Sequence, residues 1–136
     1  MSARTPDQVR RSHRFRKVQA VRVTPTTYGP ALTDRRGFAL YLFTRDAGPA
    51  STCYDACAAS WPPYVVPKRP STAVLGTRVS LVGSVRRRDG RIQVTYAGHP
   101  LYYYVGDRRP GQVLCQAVPE FGGTWYVVAP SGNAIH

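Results

Sequence analysis

Cys53 and Cys57 stand four positions apart, a spacing that on a helix puts both side chains on one face with neighbouring Cβ atoms. Two chemistries fit such a pair. In an oxidising compartment the thiols close a small-loop disulfide; in a reducing one they can hold a soft metal such as Cu(I). A metal centre needs a third ligand. His99 is the only histidine set within a motif, since His13 lies in a basic leader and His136 is the last residue. Two thiols at this spacing are a weaker metal signal than paired Cys-x-x-Cys knuckles. Covalent haem is disfavoured because no His follows Cys57 directly. Cys115 is the odd thiol, open to two readings: a free buried thiol, or a disulfide to Cys53 or Cys57. The second would close a loop of about sixty residues, worth about 4 kcal/mol in the chain-entropy model.

Acid–base and nucleophilic chemistry find less support. Asp46 and Asp107 sit at equivalent places in a repeated stretch, where they read as turn caps that accept backbone N–H groups. Glu120 and Asp89 are the other acids of the second half, and neither shares a motif with them. No Ser, Cys or Asp nucleophile comes with a motif that supplies its base, no Gly-rich loop carries a phosphate-binding Lys, and no His pair has metal spacing. A non-enzyme is therefore expected, with no cofactor other than the copper alternative.

The repeated stretch is the strongest organising signal. Gly37-Phe38-Ala39-Leu40-Tyr41-Leu42-Phe43-Thr44-Arg45-Asp46 recurs as Gly98-His99-Pro100-Leu101-Tyr102-Tyr103-Tyr104-Val105-Gly106-Asp107, with Gly, Leu, Tyr, an aromatic and Asp in register. Such self-similarity implies two copies of one unit. Tyr41, Phe43, Tyr102 and Tyr104 alternate along strands, so they read as core rings, with an exposed stacking platform as the rival. Trp61 and Trp125 follow late in each copy and are expected to plug the two ends of a shared core.

At these residues the chain resembles the bacterial secreted-repeat proteins of unknown function, often lipoproteins, which carry a Tyr-x-aromatic-x-x-Asp motif. That motif reads here as Tyr41-x-Phe43-x-x-Asp46 and Tyr102-x-Tyr104-x-x-Asp107. The family's further landmarks are matched by Cys53-x-x-x-Cys57-x-x-x-Trp61-Pro62-Pro63, by Gln93-Val94-Thr95-Tyr96-x-Gly98-His99-Pro100-Leu101-Tyr102, and by Gly122-Gly123-Thr124-Trp125. The family pattern has no Cys at the place of Cys115. The resemblance implies an extracellular or cell-envelope domain without an established activity. Its partner would be an envelope protein or a small ligand.

Composition bounds the rest. A chain of 136 residues is long enough for one domain with a modest core. Half of the formal charge of +12 falls in residues 1–22, where Arg4, Arg10, Arg11, Arg14, Arg16, Lys17 and Arg22 stand against Asp7. Residues 1–17 read as a basic disordered arm. Such an arm can also bind nucleic acid or an anionic surface by counterion release, with Arg10, Arg11, Arg14, Arg16 and Lys17 as its contacts. It shows no apolar stretch and no small-residue cleavage site, so no signal peptide is visible and a cytoplasmic placement stays open. No transmembrane segment is expected.

The elements that must position these residues are strands. Val18 to Val23 is partly alternating and β-branched, and a first hairpin is expected from 31–33 and 38–44 across Asp34-Arg35-Arg36-Gly37. A short helix is expected over 52–60, capped by Ser51 or Thr52 and ended by Trp61-Pro62-Pro63. Tyr64 to Leu75 reads as an extended connector. Val79 to Arg86, Arg91 to Tyr96 and His99 to Val105 form a meander whose first turn is marked by Asp89-Gly90, and Trp125 to Val128 adds a last strand. The fold class expected is all-β, mainly antiparallel hairpins and meander from two tandem repeats, with one short helix. Residues 18–136 form one domain whose repeats span about 24–66 and 78–129. The function expected is a non-enzymatic cell-envelope or secreted structural or binding domain. The alternatives are a thiol-based Cu(I) or redox module at Cys53 and Cys57, and anion binding by the arm.

Overall fold

The computed structural model describes residues 20–70 and 79–136. The arm, with Arg10, Arg11, Arg14, Arg16 and Lys17, lies outside the described residues. Nearly all regular structure is antiparallel strand in small sheets. β1 (Arg22–Thr26) folds back on β2 (Gly29–Thr33), and Pro25 faces Pro30 in their register. Two prolines can oppose each other where a pair exchanges no ladder bonds, since neither has an N–H to donate. β3 (Tyr41–Phe43) pairs with β9 (Gly123–Val127), whose other edge carries β8 (Val118–Glu120). β6 (Ile92–Tyr96) pairs with β5 (Val82–Arg86) on one side and with both β4 (Val65–Val66) and β7 (His99–Pro100) on the other.

The two copies of the repeated stretch meet directly. Tyr41 N–H donates to the Tyr102 carbonyl at 2.8 Å, and Tyr102 N–H donates to the Tyr41 carbonyl at 3.0 Å. Equivalent residues thus form one reciprocal antiparallel pair. On either side, the segment that closes each half comes from the other. Tyr41 pairs with Val127, two residues after Trp125, while Tyr102 pairs with Pro63, two residues after Trp61. Likewise Leu32 N–H reaches the Val128 carbonyl at 2.8 Å, and Val94 N–H reaches the Tyr64 carbonyl at 2.9 Å. The tryptophan segments are therefore exchanged between the repeats.

Strand alternation divides the interior in two. Leu40, Leu42 and Leu101 enter a core with Leu32, Tyr64, Val94, Tyr96 and Val128. Tyr41, Phe43 and Tyr102, one residue out of phase, enter a second core with Trp61, Trp125 and the Cys53 and Cys57 side chains. Both faces of β3 are consequently buried, and all three of its residues are inaccessible.

Several expected elements differ. The hairpin across 34–37 forms its first rungs, with Asp34 N–H on the Phe38 carbonyl at 2.9 Å and Leu40 N–H on the Leu32 carbonyl at 3.1 Å. At Tyr41 the chain then leaves for β9 and Tyr102. Residues 18 and 19 of the strand expected over 18–23, and 71–75 of the expected connector, lie outside the described residues; the first strand described is Arg22–Thr26, and its hairpin with β2 was not expected. The helix shrinks to α1 (Ala56–Ser60), with Asp55 as its N-cap at φ 56° and no side-chain cap bond. Ser51 and Thr52 do not cap it, because both are drawn into bonds with the repeated stretch. Val79–Leu81 is a 3₁₀ turn leading into β5, and β7 covers only His99–Pro100 of the strand expected to reach Val105.

Candidate functional site

A column of four aromatic rings runs through the second core. Phe43 lies on Trp125 at 4.0 Å and 5°, Trp125 on Trp61 at 4.0 Å and 4°, and Trp61 contacts Tyr104 at 4.9 Å and 45°. Phe43 and Tyr104 are equivalent motif positions, so the column is ordered alike from both ends. Tyr41 presents its edge to Trp61 at 5.1 Å, and Tyr102 presents its edge to Trp125 at the same distance. Stacked and edge-on rings suit the aromatic quadrupole. The tryptophans were expected at opposite ends of the core; they meet at its middle, because each closing segment crosses to the other repeat. One residue serves both buried indoles: Trp61 Nε1 donates to Glu120 Oε1 at 2.7 Å, and Trp125 Nε1 to the Glu120 carbonyl at 3.1 Å. Sequence reasoning had set Glu120 aside as an acid without a motif.

The motif aspartates are reached from the opposite repeat. Tyr41 Oη donates to Asp107 Oδ2 at 2.6 Å, and Tyr102 Oη donates to Asp46 Oδ2 at 2.8 Å. The remaining oxygens hold loops: Asp46 Oδ1 accepts from Thr52 N–H and Oγ1 at 2.8 and 2.6 Å, and Asp107 Oδ1 accepts from Leu114 N–H at 3.0 Å. Burial, then the Asp107 bond, holds Tyr41 far above the usual phenol range, and burial does the same for Tyr102. Burial also raises Asp107, although the Tyr41 and Leu114 donors oppose it.

Cys53 and Cys57 are joined as a disulfide, with S–S 2.00 Å and Cα–Cα 5.3 Å. Cys115 is the free cysteine, partly buried. Its thiol is raised by burial, while a bond with Tyr104 opposes the rise. Oxidation of Cys53 and Cys57 to each other removes the long-range staple to Cys115 from this form. Cys115 stands one residue after Leu114, as Cys53 stands one after Thr52, so the two sulfurs hold corresponding places behind the two aspartates. His99 is half-buried in β7 and faces Tyr96 in register. Among the described residues no group of three His, Cys, Asp or Glu side chains converges as a metal site.

A polar network beside the disulfide had no sequence signal beyond a run of arginines. Arg87, 3% exposed, donates from Nη1 to Ser51 Oγ at 3.0 Å and Gln93 Oε1 at 2.8 Å, and from Nη2 to the Cys53 carbonyl at 2.7 Å. Ser51 Oγ bonds Tyr102 Oη at 2.5 Å. Two hydroxyls thus connect the Arg87 guanidinium to the Asp46 carboxylate.

A family model described as a secreted repeat of unknown function matches residues 23–64 and 83–129, and the chain belongs to that family. No curated protein and no solved structure matches it.

Proposed function

We propose that this secreted-repeat protein is a non-enzymatic structural and binding domain of the cell envelope or the extracellular space. The observation that carries this reading is the engagement of both motif carboxylates. Asp46 and Asp107 each receive a tyrosine hydroxyl from the other repeat and a backbone N–H from their own loop. Such groups act as struts; a general acid or base would need a face toward substrate.

The Cys53–Cys57 bond supports an oxidising compartment, since cytosolic thiols are kept reduced. It also removes the two thiolates that a Cu(I) centre would require, so the thiol–metal alternative needs the pair to be reduced first. Intact cells producing the full chain and quenched with an alkylating reagent test the compartment. One alkylated thiol, at Cys115, is expected. Three alkylated thiols would place the working protein in a reducing environment and revive the metal reading.

A further inference from the structure

The tip of the β5–β6 hairpin carries Arg86-Arg87-Arg88-Asp89-Gly90-Arg91. Gly90, at φ 89°, turns the chain there, and Arg87 N–H closes the loop on the Arg91 carbonyl at 2.8 Å. Between this tip and the start of α1 lies a cleft of about 580 Å³, lined by Tyr54, Asp55, Arg87, Arg88, Asp89 and Arg91.

The charges in the cleft do not balance locally. Arg91 is neutralised, since Asp89 accepts from its N–H at 3.0 Å and from its Nε at 2.8 Å. Arg87 is not. Its guanidinium is buried among neutral acceptors, forms no ion pair among the described residues, and leaves Nε buried without a hydrogen-bond partner. A buried cation in this state is costly, and its field is screened less than that of a surface charge. Arg88 is exposed, and its guanidinium carbon sits 3.7 Å from the Tyr54 ring centroid, with that of Arg87 at 4.2 Å. Tyr54 is itself fixed, because its Oη accepts the Arg88 N–H at 3.1 Å. The Arg88 side chain therefore rests on a positioned ring with its donors unused by the described residues. A guanidinium oriented before binding loses less freedom when it takes an anion.

We propose that this cleft binds a phosphate group, with Arg88 as its rim contact and Arg87 supplying the positive field from the floor. Phosphate fits better than a carboxylate because its greater charge gains more from a cleft lined by two guanidinium groups without an ion-pair partner, those of Arg87 and Arg88. A tetrahedral group offers oxygens in several directions, whereas a planar carboxylate offers one edge. Asp55, exposed at the start of α1, is the one acid of the cleft without a cation partner, and it opposes the anion. The site stands on the cleft alone, so its failure would leave the structural reading above untouched.

The test is titration of the ¹⁵N,¹³C-labelled, disulfide-bonded full chain with inorganic phosphate at constant ionic strength. It is read at the Nε–H signals of Arg87 and Arg88 and at the Tyr54 ring, the groups that line the cleft. Saturable shifts at all three are expected. Arg88→Ser should weaken the affinity about tenfold by removing a charge-assisted fork. Asp55→Asn should strengthen it about two- to fivefold by removing a like charge. Both residues are exposed, so neither variant threatens folding. Shifts that never saturate, an Arg88→Ser affinity equal to wild type, or acetate acting as strongly as phosphate would each overturn the proposal.

Discussion

The indole of Trp61 lies flat on the indole of Trp125, 4.0 Å between centroids and 4° from parallel. The two rings arrive on segments that each close the other repeat, so this contact joins the halves. Trp61→Ala and Trp125→Ala are each expected to cost about 3–5 kcal/mol, a large part of the stability of a small domain. The double variant should cost less than the sum, since a ring pair contributes about 0.5–1.5 kcal/mol beyond its buried area. Urea denaturation of the four proteins measures this. Strict additivity would mean that the stack has no energy of its own.

The crossed tyrosine–aspartate bonds give a second expectation. Tyr41→Phe and Tyr102→Phe should each cost about 1.5–3 kcal/mol, the range for a hydrogen bond to a charged partner. Tyr102→Phe should cost more, because Asp46 is 7% exposed and Ser51 also loses one of its partners. Asp46→Asn and Asp107→Asn should be milder than the Ala variants, as an amide oxygen still accepts. Unchanged denaturation midpoints in both Phe variants would remove the strut reading.

Stability should fall in alkali. Burial pushes Tyr64 up to about 12 and lifts Tyr41, Tyr102 and Tyr103 well above the ordinary value. Unfolded tyrosines ionise near about 10. Below that pH both states are neutral and the contribution is fully present. Above it only the unfolded state loses protons, so stability declines as pH rises. Denaturation midpoints followed together with phenolate absorbance should show folded protein whose buried rings stay neutral until it unfolds. On the acid side Asp107, raised by burial, favours the fold when protonated. Its contribution falls as pH climbs from the ordinary carboxylate value through the folded one, and Asp107→Asn should abolish that limb.

Reducing Cys53–Cys57 should cost about 2 kcal/mol, the chain-entropy value for a short loop. In the oxidised protein Cys115 should take up maleimide slowly near neutral pH and faster as pH rises, because burial raises its thiol. Fast, pH-independent labelling would contradict that environment.

The repeated stretch, the all-β class and the Asp89-Gly90 turn were legible because each is a local signal: fixed spacing, period-two alternation, a residue suited to positive φ. Partner choice was not. Nothing in Tyr41-Leu42-Phe43 says that its neighbours are Val127, Tyr126 and Trp125, since alternation specifies a face and leaves the opposing strand open. Val65–Val66, inside the proline-rich connector, is too short to announce a strand. Glu120 and Arg87 illustrate the other loss. Their roles depend on which groups lie beside them in space, and a lone acid or one arginine in a run carries no trace of that.

The exchange of closing segments also sets an order in time. Strand β3 and the Leu32 amide find their partners only at residues 125–128, so the first repeat cannot complete its sheet while it is the only part synthesised. Pairings this far apart in sequence form late and slowly. Until the far end arrives, β3 keeps an unpaired edge, while the β1–β2 hairpin already has both its strands.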